Sequence, residues 1–299
     1  MARSNLIRFD WAFKRLLRQK ANFVVLEGFL TSLLEKPIRI LRILDSESNK
    51  QENNDKFNRV DLLAENQEGE LLIIEVQNNR ELDYFHRMLY GTAKAISEYI
   101  KEGEEYSSVK KVYSINIVYF ELGQGKDYVY RGLTEFRGIH ENDVLQLSAS
   151  QKRQFRMETA GDLYPEYYVL RVEDFNTVAK TPLDEWIEFL KTGDIAATAT
   201  APGLKEARER LRKDGMSESE RRTYEAHLEN LRYQKSVIKT GRIEGHAEGR
   251  AEGRAEGLEE GLTKGKIAIA KKALQMGMSI EAVAELTGLS KEDLQGLSG

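Results

Sequence analysis

The sequence predicts a mixed α/β fold, a central sheet flanked by helices and followed by a helical C-terminal extension. Three observations carry that expectation. Trp11, Phe13, Leu16 and Leu17, then Val24, Val25, Phe29, Leu30, Leu33 and Leu34, recur at helical intervals over residues 9–35. The runs NRVDLLAEN and ELLIIEVQN flank Gln67-Glu68-Gly69, the spacing of a β-hairpin. From Pro182 onward the pattern is mostly helical, with Trp186, Ile187, Phe189 and Leu190 on one apolar stripe.

The elements follow in order. Pro37 closes the first helical stretch, and residues 38–44 alternate apolar and charged as a half-buried strand does. The polar loop SESNKQENNDK leads into the hairpin. Residues 81–102 show helical spacing in Leu82, Phe85, Met88, Leu89 and Ile96, and VYSINIVYF reads as a strand over 112–120. Further strand-like pieces lie near 127–136, 153–158 and 166–172. The chain divides into a core over 1–175, a helical extension over 176–238, a glycine-period segment over 239–265 and a small helical module over 266–299. Ser279 and Ser290 suit helix N-caps in that module, and Gly277 and Gly288 suit its turns.

Composition narrows the function classes. A chain of 299 residues can hold one sizeable core plus appendages. Its net charge of −4 argues against a high-affinity nucleic-acid coat, but not against an enzyme that touches DNA locally. With no cysteine there is no disulfide, thiolate metal site or cysteine nucleophile. The four histidines lack metal-ligand spacing. No apolar run approaches the roughly 18–20 residues that span a bilayer, and the amphipathic N-terminus lacks a signal-peptide cleavage site. A cytoplasmic protein without membrane association is expected.

The hairpin carries the chemistry. If Asn66 and Glu70 face each other across the turn, Asp61 falls opposite Glu75 and Arg59 opposite Gln77. The even-numbered face (Val60, Leu62, Ala64, Leu72, Ile74, Val76) is wholly apolar and must be buried. Side chains directly opposed across strands lie about 4.5–5.5 Å apart at Cβ, where two carboxylates repel. A divalent cation reverses the sign of that interaction, and Mg²⁺ is commonly held by one or two carboxylates plus water and substrate phosphate. The alternative is a solvated sheet face on which Arg59 screens the two acids.

The run FDWAFKRLL, EGFLTSLLEK, RVDLLAENQEGELLIIEVQ, FHRMLYGTAKAISEYI, LDEWIEFLKTGDI and MSESERRTYEAHLENLRYQ resembles the recombination-promoting nuclease (Rpn) and transposase-like family of the PD-(D/E)XK superfamily. The resemblance covers nearly the whole chain. It implies a restriction-endonuclease-like α/β fold and a metal-dependent DNA endonuclease that hydrolyses phosphodiesters with a metal-activated water. Asp61, Glu75 and Gln77 would be the catalytic set, with Asp61 and Glu75 as Mg²⁺ ligands, Mn²⁺ or another divalent cation being able to substitute. Gln77 stands where the superfamily has a lysine. The missing positive charge would come from Arg59, Lys94 or Arg87. Glu27 is the candidate for an additional acidic ligand. Arg87 and Tyr90, three positions apart on one helix face, are candidates for contacting DNA, as is Arg59. The ordinary reading makes them a surface arginine and a core tyrosine.

In GRIEGHAEGRAEGRAEGLEEG the glycines and glutamates each recur at every fourth residue. A lone helix there would set like charges side by side and lose about 1 kcal/mol at each interior glycine. The segment is therefore either a flexible linker or a helix packed closely between copies, which would make the protein a homo-oligomer. The terminal residues resemble a short helix-turn-helix, although SKEDLQGL carries two acids and one lysine where a base-reading helix needs donors. DNA is the expected partner. The competing reading is a catalytically weak, oligomerising, DNA-associated scaffold of a mobile-element or defence system.

Overall fold

The computed structural model describes residues 6–15, 19–44, 61–99, 105–155 and 157–296. They form two compact units, residues 1–229 and 230–299. The first is built on a six-stranded mixed sheet. Its strands are β1 (Ile40–Leu44), β2 (Leu62–Asn66), β3 (Leu71–Gln77), β4 (Val112–Val118), β5 (Val129–Gly132) and β6 (Glu166–Arg171). They lie in the order β1-β2-β3-β4-β6-β5. β1, β2 and β3 run antiparallel in turn, β3, β4 and β6 are parallel, and β5 closes the far edge antiparallel to β6.

The helices of this unit are α1 (Phe9–Arg15), α2 (Phe23–Leu34), α3 (Tyr84–Tyr99), α4 (Ala149–Phe155), α5 (Pro182–Thr192), α6 (Leu204–Arg210) and the start of α7 (Glu218–Gln275). The parallel step from β3 to β4 requires a crossover, and α3 supplies it. β3 and β4 are buried on both faces, as their near-continuous apolar runs demand. The even-numbered hairpin residues Leu62, Ala64, Leu72, Ile74 and Val76 enter the main core, together with Phe9, Phe29 and Trp186 from α1, α2 and α5. The odd-numbered Leu63, Leu71 and Ile73 enter a smaller cluster with Ala95 of α3. Aromatic rings cement the main core: Phe29 lies 5.9 Å from Phe9 and 5.5 Å from Trp186, ring centre to ring centre.

α5 starts and stops where its sequence dictates. Thr181 and Asp184 form a reciprocal capping box, Pro182 occupies the first turn, and Gly193 ends the helix at φ 75°. Two expectations change. The helical stretch over 9–35 is two helices, because Gln19, Lys20 and Ala21 are exposed and offer no apolar face to carry one stripe through. The strand expected near 153–158 is in part helix, since Ser148 caps α4 through its hydroxyl, which accepts from the Gln151 amide at 3.3 Å.

α7 continues as helix through the glycine-period segment into the second unit. A Cβ added at any glycine from Gly241 to Gly265 would meet nothing within 4 Å. In the second unit α8 (Ile280–Thr287) and α9 (Lys291–Gly296) fold back so that Val283 and Leu294 bury against Ala270 and Ala273 of α7. Ser279 caps α8 by accepting from the Ala282 amide at 3.3 Å, and Gly277 and Gly288 make the turns at φ 85° and 68°. Among the described residues no helix is long and apolar enough to cross a membrane.

Candidate functional site

The observed hairpin register pairs Leu62 with Ile74 and Leu63 with Ile73, as expected from the turn. Asp61 therefore stands one residue beyond the last paired position, facing the end of β3. Its Oδ2 accepts from the Val76 amide at 2.8 Å, which fixes the carboxylate beside the strand end. Glu75 is only 7% exposed and sits level with Asn116 of β4. It lines a small pocket with Tyr84, Arg87, Met88 and Gly91 above the sheet, and Ile73, Ser114 and Asn116 in it.

Two residues that sequence reasoning missed complete the polar network. Glu81, just before α3, accepts from Gln77 Nε2 at 2.5 Å and from Arg87 Nη1 at 3.0 and 3.1 Å. Asn116 accepts from the Tyr84 hydroxyl at 3.2 Å and donates to the Ser114 hydroxyl at 3.1 Å. A signal for the second was present: Ser114 and Asn116 are two polar residues two apart, hence on one face, in an otherwise apolar strand. No comparable signal marked Glu81, because its role depends on how the chain turns between β3 and α3.

Arg87 Nη2 lies 3.5 Å from Glu75 Oε2. Burial works to lower the Arg87 pKa, but Glu75 and Glu81 outweigh it and hold the guanidinium above its ordinary value. The Tyr84 phenol is pushed above its usual range, by burial first and then by the field of Glu75. Asp61 and Glu81 act on the same phenol, so three carboxylates and one guanidinium converge around Tyr84. The Arg87 Nε–H is buried and without a partner among the described residues. An unpaired buried donor is costly, and an anionic oxygen would satisfy it.

The structure does not bring Glu27 to this set. Glu27 lies on α2 at the turn end of the hairpin, where it accepts from the Ile40 amide at 2.9 Å and from Arg39 at 2.8 Å. Ile40 in turn pairs with Asn66, at the opposite end of the hairpin from Asp61. Its function as a third ligand is thus corrected: its oxygens anchor the start of β1. Lys94 pairs with Glu98, one helical turn away at 3.7 Å, and Arg87 approaches Glu75 at 3.5 Å. Tyr90 is exposed on α3 and does not line the Glu75 pocket. Arg59 and Val60 lie outside the described residues.

Among the described residues no set of three or more His, Asp or Glu side chains converges to cage a metal ion alone. Two carboxylates plus a carboxamide oxygen is a donor set that suits a hard cation which completes its shell with water and phosphate oxygens. Asp61, Glu75 and Gln77 fit that description.

Residues 7–147 match the PD-(D/E)XK nuclease family transposase group, and residues 263–299 match the C-terminal helix-turn-helix domain of the Rpn/YhgA-like nuclease family. The chain belongs to the Rpn/YhgA-like PD-(D/E)XK nuclease family. No curated protein and no solved structure matches it. In this Rpn-type chain the first match spans the hairpin, α3 and β4, the elements that build the Glu75 pocket. The mixed sheet with helices on both faces is the restriction-endonuclease-like arrangement that membership entails. The second match covers the end of α7 with α8 and α9, the helix-turn-helix expected at the C-terminus.

Proposed function

We propose that the chain is a DNA endonuclease that hydrolyses phosphodiester bonds with the help of Mg²⁺ or a similar divalent ion held by Asp61 and Glu75. The observation that carries this reading is a buried glutamate at the end of a central strand, next to an aspartate fixed by the Val76 amide and a guanidinium with an unpaired donor. A divalent cation at this place supplies a Lewis acid and offsets the charge that builds on phosphate during hydrolysis. The protein's own groups do the rest. Asp61 is held in place by its backbone bond. Arg87 approaches the Glu75 carboxylate at 3.5 Å and orients it. Gln77, tied through its amide to Glu81, presents its side-chain oxygen for a ligand or a water. Arg87, set against Glu75 and Glu81, brings to the site the positive charge that a lysine at position 77 would have supplied.

Plasmid cleavage by purified protein tests this. Cleavage should need Mg²⁺ or Mn²⁺, stop in EDTA, and vanish in Asp61→Ala and Glu75→Ala. Activity that survives both substitutions overturns the assignment.

One observation favours the competing scaffold reading: Arg87 already neutralises Glu75 and Glu81, as an internal cation would in a site that no longer takes up metal. Metal uptake separates the two, since a scaffold takes up no Mn²⁺ and a nuclease takes up Mn²⁺ that Glu75→Ala abolishes.

DNA is the proposed partner. The helix-turn-helix supports this through its fold, but Lys291 of α9 is drawn to Glu281 at 3.2 Å and Glu292 and Asp293 follow it. The nuclease unit therefore carries the main phosphate contact. Self-association through α7 is proposed for the glycine-period segment, because a helix with seven interior glycines and nothing packed on them is intrinsically weak. Sedimentation that shows a monomer, unchanged on deleting 241–265, would exclude it.

A further inference from the structure

A second groove opens beside the Glu75 pocket and shares Met88 with it. Phe85 and Leu89 of α3 form one wall. Tyr130 of β5 and Tyr167 of β6 belong to the other. Its volume of about 390 Å³ lies within the roughly 300–1,000 Å³ of small-ligand sites. Phe85 is 53% and Tyr130 36% exposed. Gly132 pairs with Tyr167, so no side chain at that position covers the ring.

The aromatic wall is built in place. The Tyr130 hydroxyl accepts from the Asp127 amide at 2.9 Å, which pins the ring by its tip. The Arg171 guanidinium lies 5.9 Å from the Tyr130 ring centre, a cation–π contact. These rings line one apolar groove together, and three features choose its occupant. The wall offers flat ring faces, which suit a planar base better than a branched aliphatic side chain. The lining offers almost nothing to read a base edge, so binding would be tolerant of sequence. The groove adjoins the Glu75 pocket, the two sharing Met88 of α3 as a wall, which sets it beside Arg87 and Glu75, where the phosphate would lie.

We infer that this groove seats one or two unpaired bases of the DNA strand whose phosphate lies at Glu75 and Arg87, an inference that rests on the nuclease reading. Duplex bases hide their faces in the stack. The consequence is a preference for DNA with a single-stranded or opened segment next to the cleaved bond.

The test uses the full chain with 2-aminopurine oligonucleotides, single-stranded and blunt duplex, in EDTA. Phe85→Leu keeps an apolar side chain and removes the flat face, while Phe85→Trp keeps both. Circular dichroism confirms that each variant is folded. Expected is a fluorescence change on binding single strands, affinity about tenfold weaker in Phe85→Leu, wild-type affinity in Phe85→Trp, and duplex affinity equal in all three. Equal single-strand affinity in wild type and Phe85→Leu overturns the inference. So does wild-type self-association that Phe85→Ser weakens, which would assign the groove to a second copy. Plasmid cleavage with Mg²⁺ run in parallel separates the two claims. Stacking without cleavage sinks the nuclease reading and leaves the groove. Cleavage with an unchanged strand preference in Phe85→Leu sinks the groove alone.

Discussion

The Arg87 guanidinium lies 3.5 Å from the Glu75 carboxylate, a positive charge set against an acid that is only 7% exposed. Its other nitrogen is held by Glu81 at 3.0 Å. One side chain thus bridges two carboxylates of the candidate site.

Arg87→Ala should separate metal binding from catalysis. Removing a cation 3.5 Å from Glu75 relieves repulsion of an incoming metal ion. Isothermal titration should show Mn²⁺ binding more tightly, while plasmid cleavage falls by at least about tenfold, the loss of one charge-stabilising contact. Arg87→Lys should not restore cleavage, because one ammonium cannot span both carboxylates as a planar fork does.

Glu81 is expected to matter without touching the reacting phosphate. It holds Gln77 and Arg87 together. Glu81→Ala should lower kcat with little change in the melting temperature, since the side chain is partly exposed. Gln77→Lys should be accepted, the new ammonium pairing with Glu81, whereas Gln77→Glu places like charges about 3 Å apart and should lower both stability and cleavage. Thermal melts and plasmid assays on the three variants check this.

Asp10 gives a pH signature in the core. It is 1% exposed and binds Arg8, the Trp11 amide, Asn78 and His227. Burial alone would raise its pKa, but His227 and Arg8 outweigh burial and hold it at about 2, below the ordinary 3.8. A carboxylate with a depressed folded pKa stabilises the protein above the unfolded value and loses that contribution as pH falls through the folded one. Asp10 should therefore contribute about 2 kcal/mol at neutral pH. Urea unfolding of wild type and Asp10→Asn should differ by that amount at pH 7, and the difference should shrink between pH 4 and pH 2. A difference that persists at pH 2 would show that the contribution is not ionic.

Two glycines should respond in opposite ways. A Cβ on Gly28 would lie 2.3 Å from the Pro202 carbonyl oxygen and 2.5 Å from the Gly203 Cα, where α2 meets the start of α6. Gly28→Ala should cost at least about 2 kcal/mol through forced backbone displacement. Gly253→Ala meets nothing within 4 Å and should strengthen α7 in an isolated chain by up to about 1 kcal/mol. If copies pack on the glycine stripe, as proposed, the same change should instead weaken self-association in sedimentation.

Much of the site was legible because a hairpin is local. The three-residue turn fixes its register, alternation fixes its faces, and together they place Asp61 next to Glu75 without any knowledge of the rest of the chain. Gln77 follows from the same count. Glu27 was misplaced because a helix residue can face either end of a strand, and only the pairing of Ile40 with Asn66 shows which end α2 serves. The break between α1 and α2 escaped notice because apolar spacing continues across exposed residues.

What the sequence alone determined is therefore the local part: helix caps at Ser279 and Ser290, the hairpin, its buried even-numbered face and the acids at its far end. Tertiary structure decided the rest. The parallel crossover through α3 brings Arg87 onto Glu75, and the return of β5 against β6 puts Tyr130 near Phe85. Neither juxtaposition has a period to read. Each joins residues whose separation is set by how the chain crosses the sheet, and burial of the whole core, not any local pattern, selects that path.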